Sequence, residues 1–288
     1  MRLSGRIGAA ALTAAAGLAA AALPLSAQFR PEEIAQREKW EIFMGQAAII
    51  KSEPVGEGVT HPWKLTLRLG DVEHKGVWKD IDIVDGDIPD RWRYEVAAYR
   101  LDKLLGLNMV PVVVEREFRG KKGDLSLWAE NKYSLLKVME GNIPIPASAQ
   151  AQVDAMKYIT RAWDSLLAND DRTQQNILYT EDWRTILIDH TRAFRADKAH
   201  REQLIYGANG LKTMDDGKGG RRPVLFRRLP RAFVDSIRAL DRTAVQNAVG
   251  PYLTAGEIEA LMARKPILLA EIDDMIKREG EKAVLYEP

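Results

Sequence analysis

The feature that most constrains the fold of this chain is a short polar run near its middle. The run is Asp171-Arg172-Thr173-Gln174-Gln175-Asn176, and it follows a segment up to Ala168 whose apolar residues recur at helical spacing. Beyond it, two short apolar segments around a turn predict a hairpin, and the second segment ends at Asp189. The sequence therefore predicts a helix, a tight loop and a hairpin that carry two acids and one asparagine at fixed spacing.

These side chains suit phosphoryl transfer to a hydroxyl. We interpret Asp171 as the catalytic base that orients the attacking hydroxyl, and Asn176 and Asp189 as ligands of Mg²⁺ or Mn²⁺ on nucleotide phosphates. Magnesium favours hard oxygen ligands and keeps waters and phosphates as its other partners. Asp170 is the alternative base, but its sequence spacing to Asn176 does not fit this arrangement, whereas that of Asp171 does. The competing interpretation is a plain polar loop, since Asp and Asn are common turn formers.

A lysine and a glutamate lie upstream in the order that this chemistry requires. Lys79 stands on a predicted strand and is expected to contact the nucleotide phosphates. Glu95 lies in the first turns of the next predicted helix, where it can pair with Lys79 and orient it. Lys75 is a weaker candidate because it precedes the strand proper. The alternative for Lys79 is an exposed lysine on a strand with no role in the site. The alternative for Glu95 is a favourable negative charge near a helix N-terminus.

Hydrophobic periodicity predicts an α+β fold with a small antiparallel sheet first. A helix over residues 31–46 precedes the sheet, and a second helix capped by Asp90 and ended by Gly106 interrupts it. The predicted strands cover residues 47–51, 64–69, 76–83, 110–118 and 125–129.

The second half is predicted to be mostly helical. A loop over residues 141–150 leads into the helix that ends at Ala168, and two helices close the chain. The last helix opens with a capping box, Thr254 to Glu257, and Pro266 is expected to bend or interrupt it.

The N-terminal segment differs in composition from the rest. Residues 1–30 contain no acid, and Arg2 and Arg6 precede an Ala/Leu-rich run that ends near Ala27. This layout predicts a secretory signal peptide over residues 1–27, and hence an exported, periplasmic or secreted protein. An uncleaved membrane anchor is the alternative, because the run is long enough to span a bilayer.

Composition excludes several classes of site and partner. The chain has no cysteine, which excludes a lipid-modified cysteine anchor, disulfides and thiolate metal sites. The formal net charge of +1 gives no electrostatic case for nucleic acid as a partner. One basic stretch could meet an anionic substrate or a membrane surface, or else form a solvated loop and helix start; its members are Lys218, Arg221, Arg222, Arg227, Arg228 and Arg231.

Two segments resemble a known group of proteins. The stretch from Glu95 to Pro111 resembles the corresponding helix, loop and strand of atypical secretory-pathway kinases of the Golgi casein-kinase type. The Asp171-Arg172 loop is similar to that of phosphatidylinositol 3-/4-kinases and HipA-like bacterial kinases. The resemblance covers about residues 45–195. It departs at Thr173, where lipid kinases have histidine, and at His190-Thr191, where Phe-Gly is usual.

The resemblance implies a two-lobed protein-kinase-like fold that binds ATP with Mg²⁺ or Mn²⁺ between its lobes. The N-lobe, with an N-terminal helix, is expected over residues 28–140 and the C-lobe over residues 141–288. Gly56 and Gly58 would belong to a loop over the phosphates, although a plain turn is the alternative. Trp128 would line the nucleotide cleft, which is expected near residues 127–131.

The implied function is an exported phosphotransferase that transfers the γ-phosphoryl group of ATP to a hydroxyl. The acceptor would be a protein, a sugar or a lipid. One alternative is a non-catalytic kinase-like module that binds a ligand or partner. A third is a structural cation-binding domain that uses Asp170, Asp171 and Asp189 without Lys79.

Overall fold

The structure is a computed structural model that describes residues 29–56 and 61–287. The predicted signal peptide over residues 1–27 and the predicted loop glycine Gly58 lie outside the described residues. Within the described ranges, no helix is both long and apolar enough to cross a membrane.

The N-terminal part is built on a five-stranded antiparallel sheet, as expected. Alternating apolar side chains, such as Leu65 and Leu67, explain why these segments form half-buried strands. The spatial order is β1-β2-β3-β7-β6. Its strands are β1 (Ala48–Pro54), β2 (Trp63–Leu69), β3 (Val72–Lys79), β6 (Val113–Phe118) and β7 (Lys121–Leu127). The register places Lys79 of β3 opposite Asp124 of β7, so their side chains share one face.

Helices cover both faces of this sheet. Two helices, α1 (Pro31–Ala35) and α2 (Arg37–Gln46), replace the single predicted helix, and α2 packs against β2, β6 and β7. Gly76 allows this close approach, because a Cβ there would meet Met44 Cε at 2.9 Å and Leu125 Cδ1 at 2.8 Å. Helix α3 (Trp92–Leu105) packs against β6 and β7.

The entry to α3 differs from the sequence prediction. The predicted strand over residues 76–83 is broken, and β4 (Asp82–Asp85) pairs with β5 (Ile88–Arg91) in a separate hairpin. Asp90 does not cap α3, since Arg91 occupies the N-cap and the buried carboxylate of Asp90 accepts a hydrogen bond from Arg192 instead. Gly106 ends α3 in a left-handed conformation, φ 69°, as predicted.

The C-terminal part is mostly helical. It adds a three-stranded sheet in the order β10-β9-β8 that contains the predicted hairpin. The elements are β8 (Tyr133–Ser134), α4 (Leu135–Glu140), α5 (Ala147–Leu167), β9 (Ile177–Tyr179), β10 (Thr185–Leu187), α6 (Lys198–Glu202), β11 (Thr213–Asp215), β12 (Arg221–Pro223), β13 (Leu229–Pro230), α7 (Arg231–Ala239), α8 (Arg242–Val249), α9 (Ala255–Glu279), α10 (Glu281–Val284) and β14 (Leu285–Tyr286).

The closing helices are more numerous than the two predicted, and α9 runs through Pro266. Thr254 forms the predicted capping box with Glu257 at its start. Burial of residues before and after the proline, including Ile258 and Ile272, holds the helix together across the hydrogen bond that Pro266 cannot donate.

One apolar core joins the two parts of the molecule. It includes Leu125 from the sheet, Leu101 from α3, Trp163 from α5 and Ile237 from α7. The boundary between lobes at residue 140 remains a prediction.

Candidate active site

A buried arginine holds the polar loop that follows α5. Arg172 pairs with Asp164 of α5, with 3.0 Å between Nη2 and Oδ1. Its Nη1 donates to the backbone oxygen of Ile188 at 2.6 Å and to that of Asn176 at 3.3 Å. Asp164 also accepts from the amide of Asn169. The loop is therefore fixed both to the helix before it and to the residue that follows β10.

Three predicted residues from distant parts of the chain meet at the ammonium of Lys79. Its Nζ lies 3.2 Å from Glu95 Oε2 and 3.1 Å from Asp189 Oδ1. Burial disfavours the ammonium, but the charges of Asp189 and Glu95 outweigh burial and raise the pKa of Lys79 above its usual value. The lysine is thus held charged, and its position is set by a strand, a helix and a loop.

An unusual backbone conformation sets the direction of the Asp189 side chain. Its φ of 61° lies in the left-handed region, which Asp adopts more readily than most residues. The Oδ2 atom accepts from Asn176 Nδ2 at 3.4 Å, and Oδ1 accepts from the hydroxyl of Thr191 at 3.3 Å. The structure therefore brings the two predicted metal ligands side by side.

This donor set fits a magnesium-type ion. Asp189 supplies carboxylate oxygens, and the amide nitrogen of Asn176 points at Asp189, which leaves its oxygen as the second donor. Across the described residues, no group of three or more His, Asp, Glu or Cys is arranged to hold a metal. Two protein ligands are what Mg²⁺ uses where phosphates and waters complete its coordination.

His190, which replaces the usual phenylalanine, anchors Glu95. Its backbone N–H donates to Glu95 Oε2 at 2.8 Å, and its Nδ1 lies 3.3 Å from Glu95 Oε1. The indole of Trp163 donates to Nε2 at 3.4 Å, so the imidazole carries its proton on Nδ1 and donates it to the carboxylate. Burial, together with the charge of Arg172, lowers the pKa of His190, so the ring is neutral.

Lys79 and His190 likewise set the charge of Glu95. Burial opposes ionisation of Glu95, but Lys79 and the hydrogen bonds from His190 lower its pKa below the usual range. Glu95 is therefore a carboxylate, as its pairing with Lys79 requires.

Asp171 lies apart from this network and closer to solvent. Its side chain is 49% exposed, and its nearest cation is Arg192, with 3.9 Å between Oδ2 and Nε. Partial burial, reinforced by the charges of Asp189 and Asp170, raises its pKa, although Arg192 acts against this. A raised pKa moves a carboxylate toward the range useful for a general base.

Asp170, the alternative base, is engaged elsewhere. Its Oδ2 lies 3.4 Å from His200 Nε2 and 3.6 Å from Arg195 Nη1. The contact with His200 is the main reason that the pKa of Asp170 is lowered. These contacts favour Asp171 as the base.

Asp124 is a site residue that the sequence prediction missed. It is fully buried opposite Lys79, and its Oδ2 accepts from Ser126 at 3.2 Å. Its Oδ1 has no hydrogen-bond partner among the described residues. Burial raises the pKa of Asp124 well above its usual value. The sequence offered one signal for a buried acid at this position. Asp124 directly precedes a predicted strand in which Leu125 and Leu127 alternate as apolar residues.

The remaining predicted residues lie around the sheet. Gly56 follows β1 in the connection to β2. Trp128 follows β7. Its backbone N–H donates to the backbone oxygen of Lys75 at 3.0 Å, and its ring centroid lies 5.4 Å from Lys64 Nζ. Residues 127–130 also line a cavity of about 620 Å³, but none of the five polar residues predicted for catalysis lines it.

Two solved structures resemble this chain in fold. No protein-family model matches the chain, and no curated protein matches it in sequence. A solved structure of hydra Fam20 with sugar matches with a TM-score of 0.61 at 14% identity, over 91% of this chain and 95% of that one. The Helicobacter pylori proinflammatory kinase CtkA matches with a TM-score of 0.52 at 11% identity, over 82% and 96%.

The chain has an atypical kinase-like fold. The resemblance expected from the stretch at Glu95 and from the Asp171-Arg172 loop is thereby confirmed at the level of the fold. In this kinase-like fold, the pair Lys79 and Glu95 joins the sheet to α3, and Asn176 and Asp189 flank the hairpin.

Proposed function

We propose that this protein is an exported ATP-dependent phosphotransferase that transfers the γ-phosphoryl group to a hydroxyl of a protein, sugar or lipid. The observation that carries the proposal is the meeting of Lys79 with both Glu95 and Asp189, beside Asn176. This arrangement joins a charged lysine to a metal-binding pair. It also disfavours the structural cation-binding alternative, which leaves Lys79 without a role.

Each residue has a defined part in the proposed reaction. Lys79, held by Glu95, binds phosphate oxygens, while Asp189 and Asn176 hold Mg²⁺ or Mn²⁺. The chemistry that the metal supplies when bound is neutralisation of phosphate charge. Asp171 orients the acceptor hydroxyl and takes its proton, which its raised pKa favours. Most of the rate enhancement would come from positioning and charge stabilisation.

Thermal unfolding of the full chain with Mn²⁺ or Mg²⁺, with and without ATP, tests nucleotide binding. A ligand at 100 times its dissociation constant stabilises the folded state by about 2.7 kcal/mol. We expect a metal-dependent ATP shift that is lost in Asp189→Asn and retained in Asp71→Asn. Asp71 is a matched control because it is an exposed turn residue outside the site. The absence of any nucleotide shift in the folded wild-type chain would refute the proposal.

Phosphate transfer is measured next, with labelled ATP and a panel of protein, sugar and lipid acceptors. Wild type should transfer label, and Asp171→Asn should bind nucleotide without transferring it. Nucleotide binding without transfer to any acceptor would favour the non-catalytic kinase-like module.

A further inference from the structure

The basic stretch of the sequence divides into two parts in the structure. Residues 203–231 carry seven Lys or Arg but only two Asp, so the rest of the chain, whose total formal charge is +1, is net negative. Arg231 opens α7 and pairs with two glutamates near the C-terminus. The guanidinium of Arg228 lies 5.1 Å from the ring centroid of Tyr286. These two arginines therefore already have partners within the fold.

The other part is an exposed β-hairpin, which we call the basic hairpin (residues 211–223). Strands β11 and β12 pair antiparallel in it, and all of its residues are exposed. Lys212, Lys218 and Arg222 form no side-chain hydrogen bond and no ion pair with any described residue. Three cations of the basic hairpin are therefore open to an external partner.

Two aspartates lie in the basic hairpin, but neither forms an ion pair with a described cation. Asp215 accepts a hydrogen bond from the backbone N–H of Gly217, and Asp216 accepts from those of Lys218 and Gly220. The backbone hydrogen bonds are the main reason that the pKa of Asp216 is lowered, and the charge of Arg222 contributes less. These carboxylates shape the turn, and the hairpin keeps an excess of positive charge.

Two exposed apolar side chains lie among these cations. Leu211 is 37% exposed and Met214 is 38% exposed. The register pairs Met214 with Arg222, so these two side chains share one face of the hairpin. The backbone N–H of Val224 donates to the backbone oxygen of Lys212, which extends the pairing and places Lys212 on that face as well. The face therefore combines two cations with an exposed apolar side chain.

This combination fits the surface of an anionic bilayer. Lysine and arginine are attracted to anionic headgroups, and neighbouring apolar side chains enter the boundary between headgroups and acyl chains. An acidic polypeptide would match the charge equally well, but it would leave Leu211 and Met214 exposed without a role. The lipid surface is therefore the partner that accounts for both the cations and the apolar side chains.

The basic hairpin begins close to the candidate catalytic loop. The contact with His200 is the main cause of the lowered pKa of Asp170, and the charge of Lys212 also contributes to it. Asp170 directly precedes Asp171, the candidate base. A surface bound by the hairpin would therefore lie near the loop that carries this base.

We propose that the basic hairpin docks the protein on an anionic lipid bilayer. Lys212, Lys218 and Arg222 contact the lipid phosphates, and Met214 enters the headgroup region. Because the attraction between exposed charges is screened by ions, docking weakens as the salt concentration rises. It does not depend on phosphotransferase activity.

The absence of cysteine from the chain allows a reporter to be placed on the hairpin itself. Met214→Cys in the full chain, labelled with the environment-sensitive dye acrylodan, reports contact of this position with a bilayer even when the N-terminal apolar run also binds it. Vesicles that contain phosphatidylglycerol should shift the emission to the blue at low salt, whereas vesicles of phosphatidylcholine alone should not. The same label at Val72→Cys, another exposed apolar position at the start of β3, should not shift.

Charge removal tests the role of the cations. Lys218→Gln combined with Arg222→Gln should weaken vesicle binding of the labelled hairpin by about 25-fold, because each basic residue near an anionic surface contributes roughly fivefold. Lys39→Gln combined with Lys282→Gln removes the same charge from exposed positions outside the hairpin and should weaken binding much less.

Four results would overturn the proposal. They are an unshifted label at position 214 with anionic vesicles, an equal shift with phosphatidylcholine alone, equal weakening by the two double variants, and a shift with polyglutamate but not with vesicles. The last result would indicate an acidic polypeptide as the partner. The ATP-dependent thermal shift is measured without lipid, so the phosphotransferase proposal is tested separately.

Discussion

Lys79 Nζ lies 3.1 Å from Asp189 Oδ1, although 110 positions of sequence separate the two residues. The contact joins the last residue of β3 to the residue that carries the predicted metal-binding carboxylate. Glu95 completes the pair from α3. The electrostatics of the candidate site therefore depend on three elements that come together only in the folded chain.

Glu95→Gln should destabilise the protein strongly. Removing one partner of a buried ion pair costs about 3–5 kcal/mol, and we expect the lower end because Asp189 still pairs with Lys79. Chemical unfolding measures the change. Glu73→Gln, which removes an exposed pair with Arg68, should change stability by less than ~1 kcal/mol. Equal effects for the two variants would contradict the structural assignment of Glu95.

His190→Phe, which restores the usual aromatic residue, should reduce rather than improve stability. It removes the hydrogen bond to Glu95 Oε1 and leaves the indole of Trp163 without its acceptor, for an expected loss of about 1–3 kcal/mol. A double-mutant cycle with Trp163→Phe tests the network by chemical unfolding. Additive effects of the two substitutions would show that His190 and Trp163 do not interact.

Arg172→Lys should lower both stability and the ATP-dependent thermal shift. Lysine keeps the charge but cannot reach Asp164 and the oxygen of Ile188 together, as the planar guanidinium does. Arg93→Lys is the matched control, because Arg93 pairs with Asp82 at a more exposed site. A retained ATP shift in Arg172→Lys would mean that this arginine does not position the metal ligands.

The buried carboxyl of Asp102 makes stability depend on pH. Burial raises its pKa to about 7, compared with about 3.9 in an unfolded chain. Between these values the folded state holds a proton that the unfolded state has released, so the free energy of unfolding falls as pH rises from about 4 to about 7. The slope from this group is at most about 1.4 kcal/mol per pH unit. Urea unfolding across this range should show a flatter profile for Asp102→Asn than for Asp71→Asn, and identical profiles would refute the prediction.

Gly76→Ala should destabilise the sheet, while Gly45→Ala should not. A Cβ at position 76 would collide with Met44 and Leu125, and overpacking costs about 1–3 kcal/mol. Beyond the neighbouring residues and backbone of helix α2 itself, no described atom lies within 4 Å of a Cβ at position 45, so alanine there should stabilise by up to about 1 kcal/mol. Thermal unfolding compares the two directly, and a neutral Gly76→Ala would contradict the packing of α2.

Sequence reasoning succeeded where local patterns determine structure. The α+β class, the five-stranded antiparallel sheet, the stop at Gly106 and the hairpin before Asp189 all follow from periodicity and turn chemistry. It failed at Asp90. This residue can cap a helix by a local contact, but its carboxylate accepts a hydrogen bond from Arg192 in a distant segment instead. It also missed Asp124, because the burial of this residue opposite Lys79 depends on a strand pairing that the sequence does not reveal.

The candidate site shows the same division. The spacing of Asp171, Asn176 and Asp189 could be read along the chain. The roles of His190 and Arg172 could not, since each of these loop residues depends on a partner on a helix, Glu95 on α3 and Asp164 on α5.

The continuous apolar core limits how the molecule can be divided. Leu101 and Leu105 of α3 belong to the same core as Phe233 and Leu261 of the closing helices. If the N-terminal part with the five-stranded sheet were produced alone, that apolar surface would be exposed to water and to other copies of the same fragment. The two halves should therefore unfold in one cooperative transition, and the chain should tolerate added domains at its ends better than a cut between its lobes.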